Sequence, residues 1–216
     1  MEYSRQSPSP RYQQLTAMYR QMHEEGEKFL NVPPEQTFPG KSLIKQAVRI
    51  KRLIAETGAK RILDYGSGKG KQYLPMKIEE KGGETYPSVQ AYWGVDQIQC
   101  YDPSYVPFST LPEGKFDGVI CTDVLEHCPE EDLGWILEEI FGYATRFVFA
   151  NVACWPASKR LPNGENAHST IKPVEWWVNT IRPVSVRHPH LTWEIWLSHI
   201  REGDPARNVI ETRLVP

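Results

Sequence analysis

The sequence contains no long apolar run. Each hydrophobic stretch is cut by charge or proline well short of the ~20 residues needed to cross a bilayer. The opening MEYSRQSPSPRYQQ has no apolar core of the secretory type. A cytoplasmic protein with no membrane partner is therefore expected. Cysteine is scarce: Cys100, Cys121, Cys128 and Cys154 form no CxxC pair, and reduced thiols are the expectation. Neither charge sign dominates. Lys and Arg number 25 against 27 Asp and Glu, a formal net charge of −2. No broad basic field is available to a nucleic-acid backbone, so nucleic acid is not expected as a partner. There is no zinc-type ligand spacing, no GxGxxG dinucleotide turn, no GxxxxGK[ST] phosphate loop and no internal repeat.

The 216 residues suit one domain with a small appendage, and 40% of them are hydrophobic, enough for a real core. Residues 1–10 read as a flexible tail. Tyr12, Leu15, Tyr19 and Met22 then form an apolar stripe at helical spacing. Residues 31–40 (NVPPEQTFPG) are a proline-rich break. A second helix carries Leu43, Ala47, Ile50 and Ile54 on one face, with Ile44 and Val48 beside them, and Gly58 is placed to cap it. Residues 1–40 are thus expected to be a tail and possible lid helix, and 41–216 the main domain. Short apolar strands follow at residues 61–64, 98–101, 116–121 and 146–151, separated by an irregular polar stretch at 79–87 and a helix at 132–143. After a polar loop at 159–166, Pro173 starts a helix through Trp176 and Trp177. Residues 191–200 and 208–214 read as two late strands joined by a turn at Gly203-Asp204-Pro205. Strands alternating with helices predict an α/β fold: a mostly parallel twisted sheet with helices on both faces and a late antiparallel strand. Such sheets bind ligands at the carboxyl ends of their strands, where strand order reverses.

The most distinctive local feature is Ile62-Leu63-Asp64-Tyr65-Gly66-Ser67-Gly68-Lys69-Gly70. Three alternate glycines let a backbone turn sharply and approach a ligand closely. The preceding acid, Asp64, sits poorly with a pyrophosphate and well with a cationic ligand. The bland alternative is a tight turn with no ligand. This stretch resembles motif I (LDxGxGxG) of the class I S-adenosylmethionine-dependent methyltransferases, through Leu63, Asp64, Gly66, Gly68 and Gly70. The resemblance implies a Rossmann-like fold with S-adenosylmethionine as cofactor, the glycine loop packed against it and Asp64 toward its methionine end. It also implies a ribose-binding acid at the end of the second strand. Asp96 and Asp102 are both candidates. Asp102 is favoured because an apolar strand precedes it and Pro103 ends that strand, although an ordinary Asp-Pro turn is the competing reading. Residues 93–97 are then a lead-in. Residues 105–115 are too few for a further helix and strand, so an edge element is missing or reduced.

Residues 116–127 (FDGVICTDVLEH) resemble the FDxVxxxxVLEH stretch of many small-molecule methyltransferases. In that family these positions border the adenine, the sulfonium and the acceptor, which makes Asp123 a cofactor-binding candidate. His127 has an intrinsic pKa suited to general base work and is a candidate catalytic residue. An orienting loop histidine is an equal alternative. His168, in the loop before Pro173, is the second acid–base candidate. Asn151 ends a strand and could orient an acceptor or cap a turn. Trp176 and Trp177 are expected to pack the helix on the sheet. Asp123, His127, Cys128, Cys154 and His168 could share one sheet edge, but no metal is expected there. The expected partner is a small-molecule acceptor. Methylation of a macromolecule and a non-catalytic cofactor-binding subunit are the competing functions.

Overall fold

A computed structural model describes residues 3–80, 82–201, 203 and 208–216. The chain opens with helix α1 (Pro10–Glu25) and, after a 3-10 turn over Pro34–Gln36, forms a second 3-10 segment, Lys41–Gln46, that leads into α2 (Ala47–Thr57). Gly58 closes α2 in the left-handed region, its N–H bonded to the Ile54 carbonyl. Strand β1 (Arg61–Tyr65) follows. A two-strand hairpin, β2 (Ile78–Glu79) and β3 (Thr85–Tyr86), and a short helix α3 (Val89–Trp93) lead to β4 (Gln97–Tyr101). The rest is β5 (Phe116–Thr122), α4 (Leu133–Tyr143), β6 (Ala144–Ala153), α5 (Val174–Ser185), β7 (Thr192–Ile200) and β8 (Val209–Leu214).

The main sheet has the order β4-β1-β5-β6-β7-β8. The first five strands are parallel and β8 is antiparallel to β7. This is the doubly wound order with its outermost strand absent. Residues 105–115 supply only a 3-10 turn at Val106–Phe108, so β4 is an edge. The chain leaves β1 toward β4 and returns past it to β5, which places the switch point at the carboxyl ends of β1 and β5.

The pleat explains why the strand runs are apolar throughout. Alternate residues of a strand point to opposite faces, and both faces are covered. On one face Ile62, Ile120, Phe147 and Phe149 pack with Leu43 of the 3-10 segment and with α2 and α3 through Ile50, Leu53, Tyr92 and Trp93. On the other Leu63, Val119, Cys121, Val148 and Ile195 pack with α4 and α5 through Ile136, Leu137, Ile140, Trp177 and Ile181. Of the two expected packing tryptophans, Trp177 is fully buried and Trp176 half-buried.

Four expectations are corrected. The tail is docked over its described part: Arg5 pairs with Glu139, and Ser9, fully buried, caps α1 while bonding Asp132. The polar stretch 79–87 holds most of the β2–β3 hairpin, and residues 89–93, to which no element was assigned, are α3, its last residue being the first of the presumed lead-in. Val48 is exposed, and Leu53 takes the buried place on α2. Pro173 precedes α5 as its N-cap residue rather than starting it. Asp204 and Pro205, in the expected late turn, lie outside the described residues.

Candidate active site

A cavity of about 640 Å³ opens at the carboxyl ends of β1, β4, β5 and β6. That is within the usual size range of small-molecule sites. Gly66, Gly68, Asp102, Asp123, His127 and His168 all line it. Asp96 does not. It is exposed at the opposite end of β4, where its N–H bonds the Lys60 carbonyl.

The glycine turn is held by its neighbour strand. The N–H groups of Gly66 and Ser67 both donate to the Tyr101 carbonyl, at 2.7 and 3.0 Å. Gly66 and Gly68 have φ of 83° and 58°, which only glycine adopts freely. Their missing side chains serve the protein's own packing as well as any ligand. A Cβ at Gly66 would lie 2.3 Å from Val124 Cγ2, and one at Gly68 2.4 Å from the Phe38 carbonyl oxygen. The proline-rich segment is thus laid over the loop, with Lys69 N–H donating to Phe38 O at 2.9 Å and Lys71 N–H to Pro39 O at 3.1 Å.

Asp102 follows β4 directly. Its Oδ2 accepts the Gly68 N–H and its Oδ1 the Ser104 N–H, both at 2.9 Å. Each carboxylate oxygen keeps a lone pair for a ligand. Burial holds its pKa above the ordinary value, against the pull of these amides.

Asp64 and Gly70 depart from expectation, since neither lines the cavity. Strand alternation is the reason: Tyr65 turns to the cavity and Asp64 to the side. There Asp64 Oδ2 accepts from Gln72 Nε2 at 2.9 Å and Tyr73 OH at 2.8 Å. Gln72 also donates to the Ser67 carbonyl. Asp64 therefore braces the glycine loop from behind. Burial, opposed by the Tyr73 and Gln72 bonds, pushes its pKa up to about 7. Its Oδ1 has no hydrogen-bond partner among the described residues. Gly70 instead packs under Phe108 and Cys100.

On the other side of the cavity, Asp123 ends β5 with φ 54°, a backbone state that costs a non-glycine residue of order 1–3 kcal/mol. Asn151 holds it, donating from Nδ2 to Asp123 Oδ1 and accepting the Asp123 N–H at its carbonyl. Asn151 does not itself line the cavity.

His127 and His168 meet edge to face, ring centroids 4.8 Å apart. His127 Nδ1 is 2.9 Å from the Ala167 carbonyl oxygen, and His168 Nδ1 faces the Trp155 carbonyl oxygen. A carbonyl can only accept, so both Nδ1 atoms carry hydrogen and both Nε2 atoms hold the lone pair. Burial, then His168, drives the His127 pKa down to about 3, and burial also lowers that of His168. Both rings are neutral hydrogen-bond acceptors near pH 7. His127, at that value, is a weak base, and His168 is the better of the two candidates.

Glu126, Tyr19 and His23 also line the cavity, and sequence reasoning assigned none of them an individual role. Glu126 is fully buried. Its Oε1 accepts the Ala153 N–H at 2.9 Å, and its Oε2 has no partner among the described residues. Burial, then Asp123, raises its pKa well above the ordinary value, which favours the neutral form. From α1, the Tyr19 hydroxyl bonds both Ala167 O and His127 Nδ1. His23 lies on Phe38 and Tyr105, its Nδ1 unpartnered among the described residues. The helical stripe was visible as a possible lid, and its Leu15 and Tyr19 line the cavity, but these individual contacts were not legible. No group of three or more His, Cys, Asp or Glu residues capable of holding a metal occurs among the described residues. No described helix is long and apolar enough to cross a membrane.

Burial of His23, with Lys69 nearby, lowers its pKa to about 3. The unfolded chain takes up this proton near pH 6.5 while the folded one does not, so stability falls as pH drops through 6.5. Asp64 works the other way, keeping a proton up to about pH 7 that the unfolded chain loses near 3.8. The histidine contribution is therefore read as a difference. Lowering the pH from 7 to 5 is expected to destabilise the wild-type chain by about 1–2 kcal/mol relative to His23→Phe. Parallel denaturation curves check this, and a pH-independent gap between the two proteins would remove the assignment.

Comparison with known proteins finds no matching family model, no similar curated protein and no similar solved structure.

Proposed function

We propose that this chain transfers a methyl group from S-adenosylmethionine to a small-molecule acceptor. The observation that carries the reading is one shared cavity: Gly66, Gly68 and Asp102, from adjacent strand ends, open onto the same space as His127 and His168. The donor set fits such a cofactor. Asp102 offers a carboxylate to the ribose hydroxyls. Gly66 and Gly68 of the glycine turn line the cavity beside it, and Asp64 braces that turn from behind through Gln72. When bound, S-adenosylmethionine supplies an electrophilic methyl group on a positively charged sulfur. The protein's part is to hold the acceptor atom in line and to accept its proton, and the Nε2 lone pair of His168 is the group for that. The cover that α1 lays over the cavity, through Leu15, Tyr19 and His23, favours a small acceptor over a macromolecule.

Calorimetry tests the binding step. The purified chain is expected to bind S-adenosylhomocysteine and not NAD. Incubation with labelled S-adenosylmethionine and a size-filtered, nuclease-treated metabolite extract is expected to label a small molecule. Binding of NAD with none of S-adenosylhomocysteine would overturn the reading. Cofactor binding with no transfer to any extract fraction would favour a non-catalytic subunit.

A further inference from the structure

One half of the cavity carries a positive charge that is paired with no carboxylate among the described residues. Lys159 lines this half and is half-buried, and it has no carboxylate partner among the described residues. Its ammonium lies 5.2 Å from the centre of the Phe38 ring, a contact that offsets only part of the cost of lost water. The loop presenting it is well braced. Asn166 Oδ1 accepts the N–H groups of Ala157 and His168 at 2.9 Å, and Asn166 Nδ2 donates to Ala157 O at 2.8 Å. The Ala167 N–H donates to the Lys159 carbonyl at 3.1 Å. Lys159 and His168 are therefore offered to the cavity from one rigid platform.

The nearby acids do not neutralise it. Glu126 is fully buried, forms no ion pair among the described residues, and burial favours its neutral form. Asp123 is bonded by Asn151 at the end of β5 and paired with no cation among the described residues. Lys159 is close enough to disfavour a proton on both His127 and His168, although at His168 Asp123 acts in the opposite direction. A part-buried, unpaired ammonium in a concave site is completed by an anion from the ligand. The wall beside it is apolar, made by Phe38 and Leu15.

We propose that this half of the cavity takes a small ligand bearing a carboxylate or phosphate paired with Lys159, with its apolar body against Phe38. To call that ligand the methyl acceptor rests on the methyltransferase reading; the anion site rests on the cavity alone. It is tested with benzoate, phenyl phosphate and neutral benzamide, by calorimetry and saturation-transfer NMR, with and without saturating S-adenosylhomocysteine. Benzoate or phenyl phosphate is expected to bind, and benzamide at least tenfold more weakly. Lys159→Ala is expected to weaken the anion at least tenfold at unchanged thermal stability, and Lys159→Arg to keep most of the affinity. Which of the two anions binds tells carboxylate from phosphate. Equal binding of benzamide, or of anions to Lys159→Ala, overturns the proposal, as does the absence of any anion binding. Anion binding that depends on Lys159 in a chain that ignores S-adenosylhomocysteine keeps the anion site and removes the methyltransferase. The converse result keeps the methyltransferase and removes the anion site.

Discussion

Replacing Arg5 with alanine is expected to destabilise the protein by about 3–5 kcal/mol, the usual result of stripping one partner from a mostly buried ion pair. Arg5 belongs to the segment that reads as a flexible tail, yet its guanidinium is inserted between α4 and the sheet. Nε donates to Glu139 Oε1 at 2.8 Å and Nη2 to the Tyr65 hydroxyl at 2.7 Å, while the guanidinium carbon lies 4.6 Å from the centre of the Trp135 ring. The side chains of Arg5 and Glu139 are only 20% and 16% exposed, so solvent screens the pair weakly. Removing Arg5 leaves the Glu139 carboxylate in a nest of buried tyrosines with, among the described residues, only the Tyr65 hydroxyl to hold it. The loss should therefore be recovered by taking away the charge as well. Arg5→Met with Glu139→Gln keeps an acceptor for Tyr65 and is expected to regain most of the stability. Urea unfolding of Arg5→Met, Glu139→Gln and the double variant measures the coupling, with Arg5→Ala alongside. A single variant within 1 kcal/mol of wild type would show that the tail is not anchored there. Tyr65 also lines the cavity, so the same anchor bears on the site.

This anchor shows what a sequence hides. Arg5 and Glu139 are 134 positions apart, and no local pattern links them. The strands were legible because burial on both faces makes near-continuous apolar runs of Phe116–Thr122 and its neighbours. The absence of an outer strand was legible by length alone. Helix α3 was not, because five residues are too short to show a 3.6-residue period. The site was half legible. Asp102 could be chosen over Asp96 because an apolar strand ending in Asp-Pro puts the acid at the carboxyl end. Asp64 could not be excluded from the cavity, since a motif gives spacing and not the face to which a strand residue turns. Glu126 sat in a recognised stretch, but its orphaned oxygen depends on the Ala153 N–H and on burial from every side. The N-terminal helix was legible as amphipathic. It is also part of the core, because Leu15 and Met22 share a buried cluster with Leu161 and Ala167 that truncation would uncover.

Within the methyltransferase reading, Asp102 carries the sharpest binding prediction. Asp102→Ala is expected to lower affinity for S-adenosylhomocysteine by roughly 10–100-fold, the cost of losing hydrogen bonds to a charged group. Asp96→Ala, at the far end of β4, is expected to leave it unchanged. The variant also frees the N–H groups of Gly68 and Ser104, which could weaken binding merely by loosening the loop. An analogue lacking both ribose hydroxyls separates the two causes. If the carboxylate acts on the ribose, wild type and Asp102→Ala bind that analogue alike, and both bind it more weakly than wild type binds the parent ligand. If Asp102 only braces the turn, the variant loses the same factor with either ligand. Calorimetry on the two ligands and three proteins decides the matter, and a variant that binds the parent ligand as tightly as wild type would remove Asp102 from the site.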